Sequence, residues 1–159
     1  ISLLSATLAE VDKRFGRIGA ELGREMSLRM PLIDFMKLRK TVVSEIVDGS
    51  PSIWNMRMIK TAAEITHIEH ICLIVSDAFE SLPNILSVGE TERDAARKLR
   101  IEILKRGADS IPFLPAISGP GGVSQIVSGP GDRVLTKGDV LFIDTGSTYD
   151  VNYSEFERN

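Results

Sequence analysis

Near the carboxyl end the chain reads Lys137-Gly138-Asp139-Val140-Leu141-Phe142-Ile143-Asp144-Thr145-Gly146, the segment that is most informative about its fold. An unbroken apolar run that follows a Gly turn is typical of a strand buried on both faces. Asp144 closes this run, so we expect its carboxylate to emerge at an edge of the core. A carboxylate at such an edge needs a partner, because leaving it buried and unpaired is costly.

A second acid, Glu155, follows Asp144 in the segment Tyr153-Ser154-Glu155-Phe156. Gly146, Asp150 and Asn152 lie between the two acids and favour turns, so the spacing predicts a hairpin that places the two carboxylates side by side. Converging acids are typical of a bound cation or of a proton-transfer pair. Oxygen ligands suit Mn, Mg or Ca, and an added His would admit Zn, Co or Fe. Acids at strand ends are also common without any ligand, so the spacing alone leaves the choice open.

The composition is that of an ordinary globular protein. The chain has 159 residues, of which 43% are hydrophobic and 26% charged, and its formal net charge is −3. This length allows a real core, and the charge balance offers no basic surface for nucleic acid. No apolar stretch reaches the length of a membrane span. The single Cys72 excludes an internal disulfide and fits a reducing setting, so we predict a cytoplasmic protein.

Helices precede strands along the chain. Residues 1–50 are mixed in character, and Ser50-Pro51 then predicts the start of a long helix that Pro83 ends. The predicted apolar stripe of that helix consists of Ile65, Ile68, Cys72, Val75, Phe79 and Leu82. Thr91 is expected to cap a second helix, whose inner face is Ala96, Leu99 and Ile103. Predicted short strands follow at residues 111–114, 125–127, 140–143 and 149–156. Together they predict an α+β fold with an antiparallel or mixed sheet.

Two histidines, His67 and His70, lie three residues apart on the first predicted helix. That spacing can serve a metal ion, but no Cys or carboxylate pattern completes a site beside them. We therefore predict packing or surface roles for both side chains.

Five blocks of sequence together resemble the pita-bread metallopeptidase family, in its aminopeptidase P, prolidase and creatinase branch. The resemblance extends from about Ile53 to Asn159, and its blocks are residues 56–65, 89–92, 118–119, 132–135 and 138–146. It implies that residues 51–159 are the first, amino-terminal half of a pita-bread catalytic domain, with helices packed on a mixed antiparallel sheet. Residues 1–50 resemble the end of the smaller α/β domain and linker that prolidase-like members carry. We therefore expect the chain to be part of a longer polypeptide.

The resemblance also implies a reaction. Family members hold two divalent metal ions (Mn, Co, Fe or Zn) with two Asp, one His and two Glu, and a bridging water attacks an amide carbonyl. Asp144 falls on the first ligand position and Glu155 on the second. The other ligands are expected beyond Asn159, so we expect the fragment to be inactive alone. The implied substrate is a peptide or small amide, and a homodimer is expected by analogy.

Three residues depart from the family pattern. Glu155 stands where the family places Asp, and Glu157 stands where peptidases carry Thr. Val127 stands where prolidase-like members carry a His, and Val cannot donate a hydrogen bond to an oxyanion. The leading interpretation is an Xaa-Pro peptidase of the aminopeptidase P or prolidase type. The alternatives are a non-peptide amide or amidine hydrolase of the creatinase type, and a metal-free pseudoenzyme or interaction domain.

Overall fold

The computed structural model describes residues 2–125 and 128–159, which divide into two compact units after Lys60. In the first unit, strands β1 (Arg17–Ala20) and β2 (Glu45–Asp48) pair in parallel, and the helices are α1 (Ser2–Phe15), α2 (Leu32–Thr41) and α3 (Ser50–Met58). The predicted assignment of residues 1–50 to an amino-terminal domain and 51–159 to a catalytic domain stays a prediction. None of the described helices is long and apolar enough to cross a membrane.

The second unit places two helices on a four-stranded sheet. Its elements are α4 (Ala62–Ile85), α5 (Glu92–Lys105), β3 (Ser110–Phe113), β4 (Ala116–Pro120), β5 (Asp139–Tyr149) and β6 (Asn152–Arg158). Strand β5 is central, because β3 and β4 pair with successive parts of one edge and β6 pairs with the other. All of these pairings are antiparallel. The predicted α+β fold with an antiparallel sheet is therefore confirmed.

The single long helix predicted from Ser50 is wrong, because the chain forms two helices there. Helix α3 ends at Met58, and Ile59 is extended. Thr61 then caps α4: its side chain accepts a hydrogen bond from the Glu64 backbone N–H, and the Glu64 carboxylate accepts one from the Thr61 backbone N–H. This reciprocal capping box starts a new helix. Pro83 lies inside the last turns of α4 instead of ending it.

The core lies between the two helices and one face of the sheet. On α5 the predicted inner face is confirmed, since Ala96, Leu99 and Ile103 are buried. On α4 the predicted stripe is partly wrong: Ile65 is 48% exposed, and the buried side chains are Ile71, Ile74, Val75 and Ala78. The helix is apolar on more than one face, so periodicity alone did not identify the face that packs.

Strand β5 confirms the strand predicted at residues 140–143 and extends it to Tyr149. Phe142 and Ile143 are both buried although they face opposite sides of the sheet. Strand β4 was not predicted, because its Ser-Gly-Pro ending resembles a turn. The strand predicted at 125–127 is not formed at Gln125, and Ile126 and Val127 lie outside the described residues.

The hairpin predicted between Asp144 and Glu155 is confirmed, and its turn includes Asp150, one of the three expected turn residues, but not Gly146. Gly146 belongs to β5, and the chain reverses at Asp150 and Val151, with φ angles of 44° and 61°. Two consecutive residues with positive φ are typical of the two-residue type I′ hairpin turn. Asp tolerates this conformation, whereas it is strained for a β-branched Val.

Replacing Val151 with Gly is expected to stabilise the hairpin. The Val151 side chain is 97% exposed, so its removal loses almost no packing, while the positive φ becomes unstrained. We expect a gain of about 1 kcal/mol in the free energy of unfolding, measured by urea titration. The control is Val88→Gly, at an exposed turn position without positive φ, which should give no gain. A destabilised Val151→Gly variant would contradict the strain.

Candidate metal-binding face

The two predicted site residues lie on the same face of the β5–β6 hairpin. Side chains alternate along a strand, and the neighbours of Asp144, Ile143 and Thr145, are buried on the side of the helices. Asp144 therefore points away from α4 and α5. In the pairing register, Gly146 opposes Glu155 and Asp144 opposes Glu157. We define the acid face as this helix-distal side of the hairpin, with its three carboxylates at Asp144, Glu155 and Glu157.

The arrangement differs in detail from the predicted side-by-side pair. Glu157 is the residue directly across from Asp144, and Glu155 lies one pleat further along β6. Directly opposed Cβ atoms in antiparallel strands are about 4.5–5.5 Å apart and diagonal neighbours about 7–8 Å. Asp144 is half-buried, whereas both glutamates are exposed. The register thus places the three carboxylates on one face, with Glu157 directly opposite Asp144 and Glu155 diagonal to it.

Among the side chains that the structure describes, none that is basic forms an ion pair with these three carboxylates. Like charges on cross-strand neighbours repel each other and destabilise the pairing. A divalent cation would offset that repulsion, and carboxylate oxygens are suitable ligands for it. The donor set therefore fits the metal chemistry that the resemblance implies.

The chain offers only part of a metal site. In the part of the chain that the structure describes, no group of three or more His, Cys, Asp or Glu side chains is arranged closely enough to hold a metal ion. His67 and His70 do not contribute, because they lie on α4 and their rings contact Tyr149 edge-on, with centroid distances of 5.8 and 4.6 Å. These contacts agree with the packing role predicted for both histidines. Val127, the position where a His was expected, lies outside the described residues.

Sequence reasoning gave no site role to Tyr153, although it belongs to the acid face. It opposes Thr148 in the register, and its phenol leans over Gly146. A Cβ atom built on Gly146 would lie only 1.7 Å from the Tyr153 hydroxyl oxygen. Partial burial raises the pKa of the Tyr153 phenol, and the charges of Glu155 and Asp144 raise it further. A spacing of two residues along one strand is the sequence signal that could have indicated a shared face for Tyr153, Glu155 and Glu157.

A buried carboxylate anchors the segment that leads into β5. Glu92, in the first turn of α5, is only 5% exposed. One carboxylate oxygen accepts hydrogen bonds from the Ser118 backbone N–H (2.6 Å) and hydroxyl (2.8 Å), and the other accepts from the Gly131 N–H (3.0 Å). With these donors a buried carboxylate is stabilised, and the start of α5 is tied to β4 and to the loop before β5.

Arg133 extends this network to the first residue of β5. Its guanidinium donates to the Ser118 hydroxyl (2.6 Å) and, through two nitrogens, to both oxygens of Asp139 (2.8 Å each). The Thr136 backbone N–H also donates to Asp139. The Arg133 hydrogen bonds are the main reason that the pKa of Asp139 is held well below its usual range. The sequence blocks around Glu92, Ser118, Arg133 and Asp139, which carry the family resemblance, thus meet in one network.

Residues 66–158 match the model of metallopeptidase family M24, and the chain therefore belongs to that family. It is 30% identical over 138 residues to a Xaa-Pro dipeptidase of Pyrococcus horikoshii, and 27% identical over 147 residues to a probable dipeptidase PepE of Mycobacterium tuberculosis. These matches cover 86% and 89% of this chain. The chain spans 39% of the length of each relative.

Solved structures of the family have the same fold. A recombinant prolidase from Thermococcus sibiricus superposes with a TM-score of 0.83 at 26% identity, over 99% of this chain and 42% of that one. A prolidase from Pyrococcus furiosus gives a TM-score of 0.80 over 97% of this chain. The helices and strands of the second unit therefore have the pita-bread architecture of the prolidases.

The Arg133–Asp139 pair makes stability depend on pH in a defined direction. Because the pKa of Asp139 is lowered in the folded state, its contribution is present at neutral pH and is lost as the pH falls from about 5 toward the lowered pKa. We expect Asp139→Asn to be less stable than the unmodified protein at pH 7, with a smaller difference at pH 3.5. The measurement is the free energy of unfolding in urea at both pH values.

The matched control is Asp132→Asn. Asp132 pairs with Arg93 at the surface, where it is largely exposed, so its substitution should change stability little at either pH. If Asp139→Asn lowered the free energy of unfolding by the same amount at pH 7 and pH 3.5, the assigned role of the carboxylate charge would be contradicted.

Proposed function

We propose that the protein carrying this chain is a metal-dependent Xaa-Pro dipeptidase of the prolidase type. The observation that carries the proposal is the acid face, where Asp144 and Glu155 lie on one side of a hairpin and no described basic side chain pairs with them. Membership of family M24 and the likeness to a Xaa-Pro dipeptidase support it. We also expect a homodimer, by analogy with the family, and a cytoplasmic location, from the single Cys72.

Asp144 and Glu155 would be the ligands that this chain contributes to a site for two divalent ions. Bound divalent ions lower the pKa of a coordinated water and polarise the amide carbonyl of a substrate. Asp144 suits a ligand role because its backbone lies in the central strand, which pairs on both edges and therefore holds the carboxylate in place. Glu155 lies on the outer strand, where its longer side chain must fold back toward Asp144.

The second strand of the hairpin also supports a different function. Glu155 and Glu157 replace the Asp and Thr expected in the family, and together they add side-chain length and one negative charge to the acid face. A non-peptide amide or amidine hydrolase of the creatinase type, or a pseudoenzyme without metal, would be consistent with these replacements. Metal binding distinguishes the pseudoenzyme from the dipeptidase. The choice of substrate distinguishes the creatinase-type hydrolase from it.

Removing the Asp144 charge tests the proposal directly. We expect the polypeptide, expressed at its natural full length, to bind Mn²⁺ and to cleave an Ala-Pro dipeptide. Asp144→Asn should weaken Mn²⁺ binding by more than about 100-fold, the upper range found for partners that only orient ligands, and should abolish turnover. Isothermal titration calorimetry measures the binding, and release of free proline measures the turnover.

Two further variants make the test specific. Asp77→Asn removes the same charge from an exposed position on α4, on the other side of the sheet, and should leave both measurements unchanged. Glu155→Asp restores the family residue and should bind Mn²⁺ at least as tightly as the unmodified protein. Mn²⁺ binding without dipeptide cleavage would favour the creatinase-type hydrolase. Absence of Mn²⁺, Co²⁺, Fe²⁺ and Zn²⁺ binding would leave the pseudoenzyme.

A further inference from the structure

One side chain on the acid face has an unusual position. Tyr153 is opposite Thr148 in the strand register, but its side chain extends along the hairpin. The phenol ends above Gly146, beside Glu155, which is opposite that glycine. Only a residue without a side chain leaves room for it there, since a Cβ at position 146 would overlap the phenol oxygen and ring. Gly146 has an ordinary negative or extended φ, so the backbone conformation does not require glycine. Glycine is required at this position because its missing side chain leaves space for the phenol.

We propose that Tyr153 is a positioning residue of the acid face, whose hydroxyl donates a hydrogen bond to the carboxylate of Asp144 or Glu155 and orients it toward a bound divalent cation. This inference rests on the proposed function. It assigns a role to two residues, Tyr153 and Gly146, that lie between the carboxylates without being ligands themselves. Partners that orient ligating carboxylates commonly affect metal affinity by about 10–100-fold.

The surroundings of the hydroxyl support a donor role. Tyr153 is 47% exposed, and its hydroxyl donates to no described residue, so the bond remains to be formed when the carboxylates are drawn together. Glu155 opposes Gly146 in the register, and the phenol oxygen lies over that glycine, so the hydroxyl is next to the Glu155 position. A hydroxyl between two carboxylates acts as a donor, because each carboxylate can only accept.

The same hairpin contains a matched tyrosine with a different environment. Tyr149 ends β5 on the helix side, where its ring packs against His67 and His70. It is distant from the acid face because successive residues of a strand face opposite sides. Removing its hydroxyl changes the same chemical group without touching the carboxylates.

The test measures the dissociation constant of Mn²⁺ by isothermal titration calorimetry, on the polypeptide at its natural full length. We expect Tyr153→Phe to weaken Mn²⁺ binding by about tenfold, because the ring stays and only the donor is lost. Gly146→Ala should weaken it at least as much, since the new methyl group displaces the phenol. Tyr149→Phe should bind Mn²⁺ within about twofold of the unmodified protein. Thermal unfolding without metal should be unchanged in Tyr153→Phe, which a purely structural role would not give.

The outcomes separate this inference from the proposed function. Equal Mn²⁺ affinity in Tyr153→Phe and the unmodified protein, with Asp144→Asn impaired, overturns the positioning role and leaves the metallopeptidase standing. Failure of the unmodified protein to bind Mn²⁺ overturns both. Gly146→Ala is not needed for the decision if that variant folds poorly, because Tyr153→Phe keeps every backbone contact.

Discussion

The antiparallel register between β5 and β6 determines which side chains share the acid face. Asp144 opposes Glu157 and Gly146 opposes Glu155, so three carboxylates and the Tyr153 phenol share one face. A slip by a single residue would turn one set of side chains to the other face and bury the glutamates against the helices. The apolar residues that alternate with them, Ile143 and Phe156 among others, pack into the core and oppose such a slip.

A second constraint acts at the other end of β5. The buried Glu92 carboxylate and the Arg133–Asp139 pair connect the start of α5, strand β4 and the loop before β5 through short hydrogen bonds. Every oxygen of the two carboxylates has a donor, which is the condition under which buried charge is stabilising. The network and the hairpin register hold opposite ends of the same strand. Together they fix the backbone of β5 on both sides of Asp144.

Local sequence patterns predicted those elements in which the capping residue and the apolar periodicity indicate the same structure. The Thr91 cap and the inner face of α5 were predictable because a capping residue and a strict apolar period point the same way. The inner face of α4 was not, since that helix is apolar on several faces and only its partners select one. Strand β4 escaped prediction because Ser, Gly and Pro near its end are typical of turns, whereas pairing with β5 holds them extended.

The amino-acid sequence alone was enough to predict the class of fold, the buried strand at residues 140–143 that leads into Asp144, and the family to which the residue blocks belong. Those features follow from hydrophobic period and from local chemistry, which act between near neighbours. Three features became clear only from the folded chain: Glu157 opposes Asp144, Gly146 leaves space for the Tyr153 phenol instead of forming a turn, and Glu92 is buried. Each of these depends on which strands and loops meet across the sheet. These contacts are set by pairing between segments that are far apart in the sequence, and local sequence patterns do not predict such pairing.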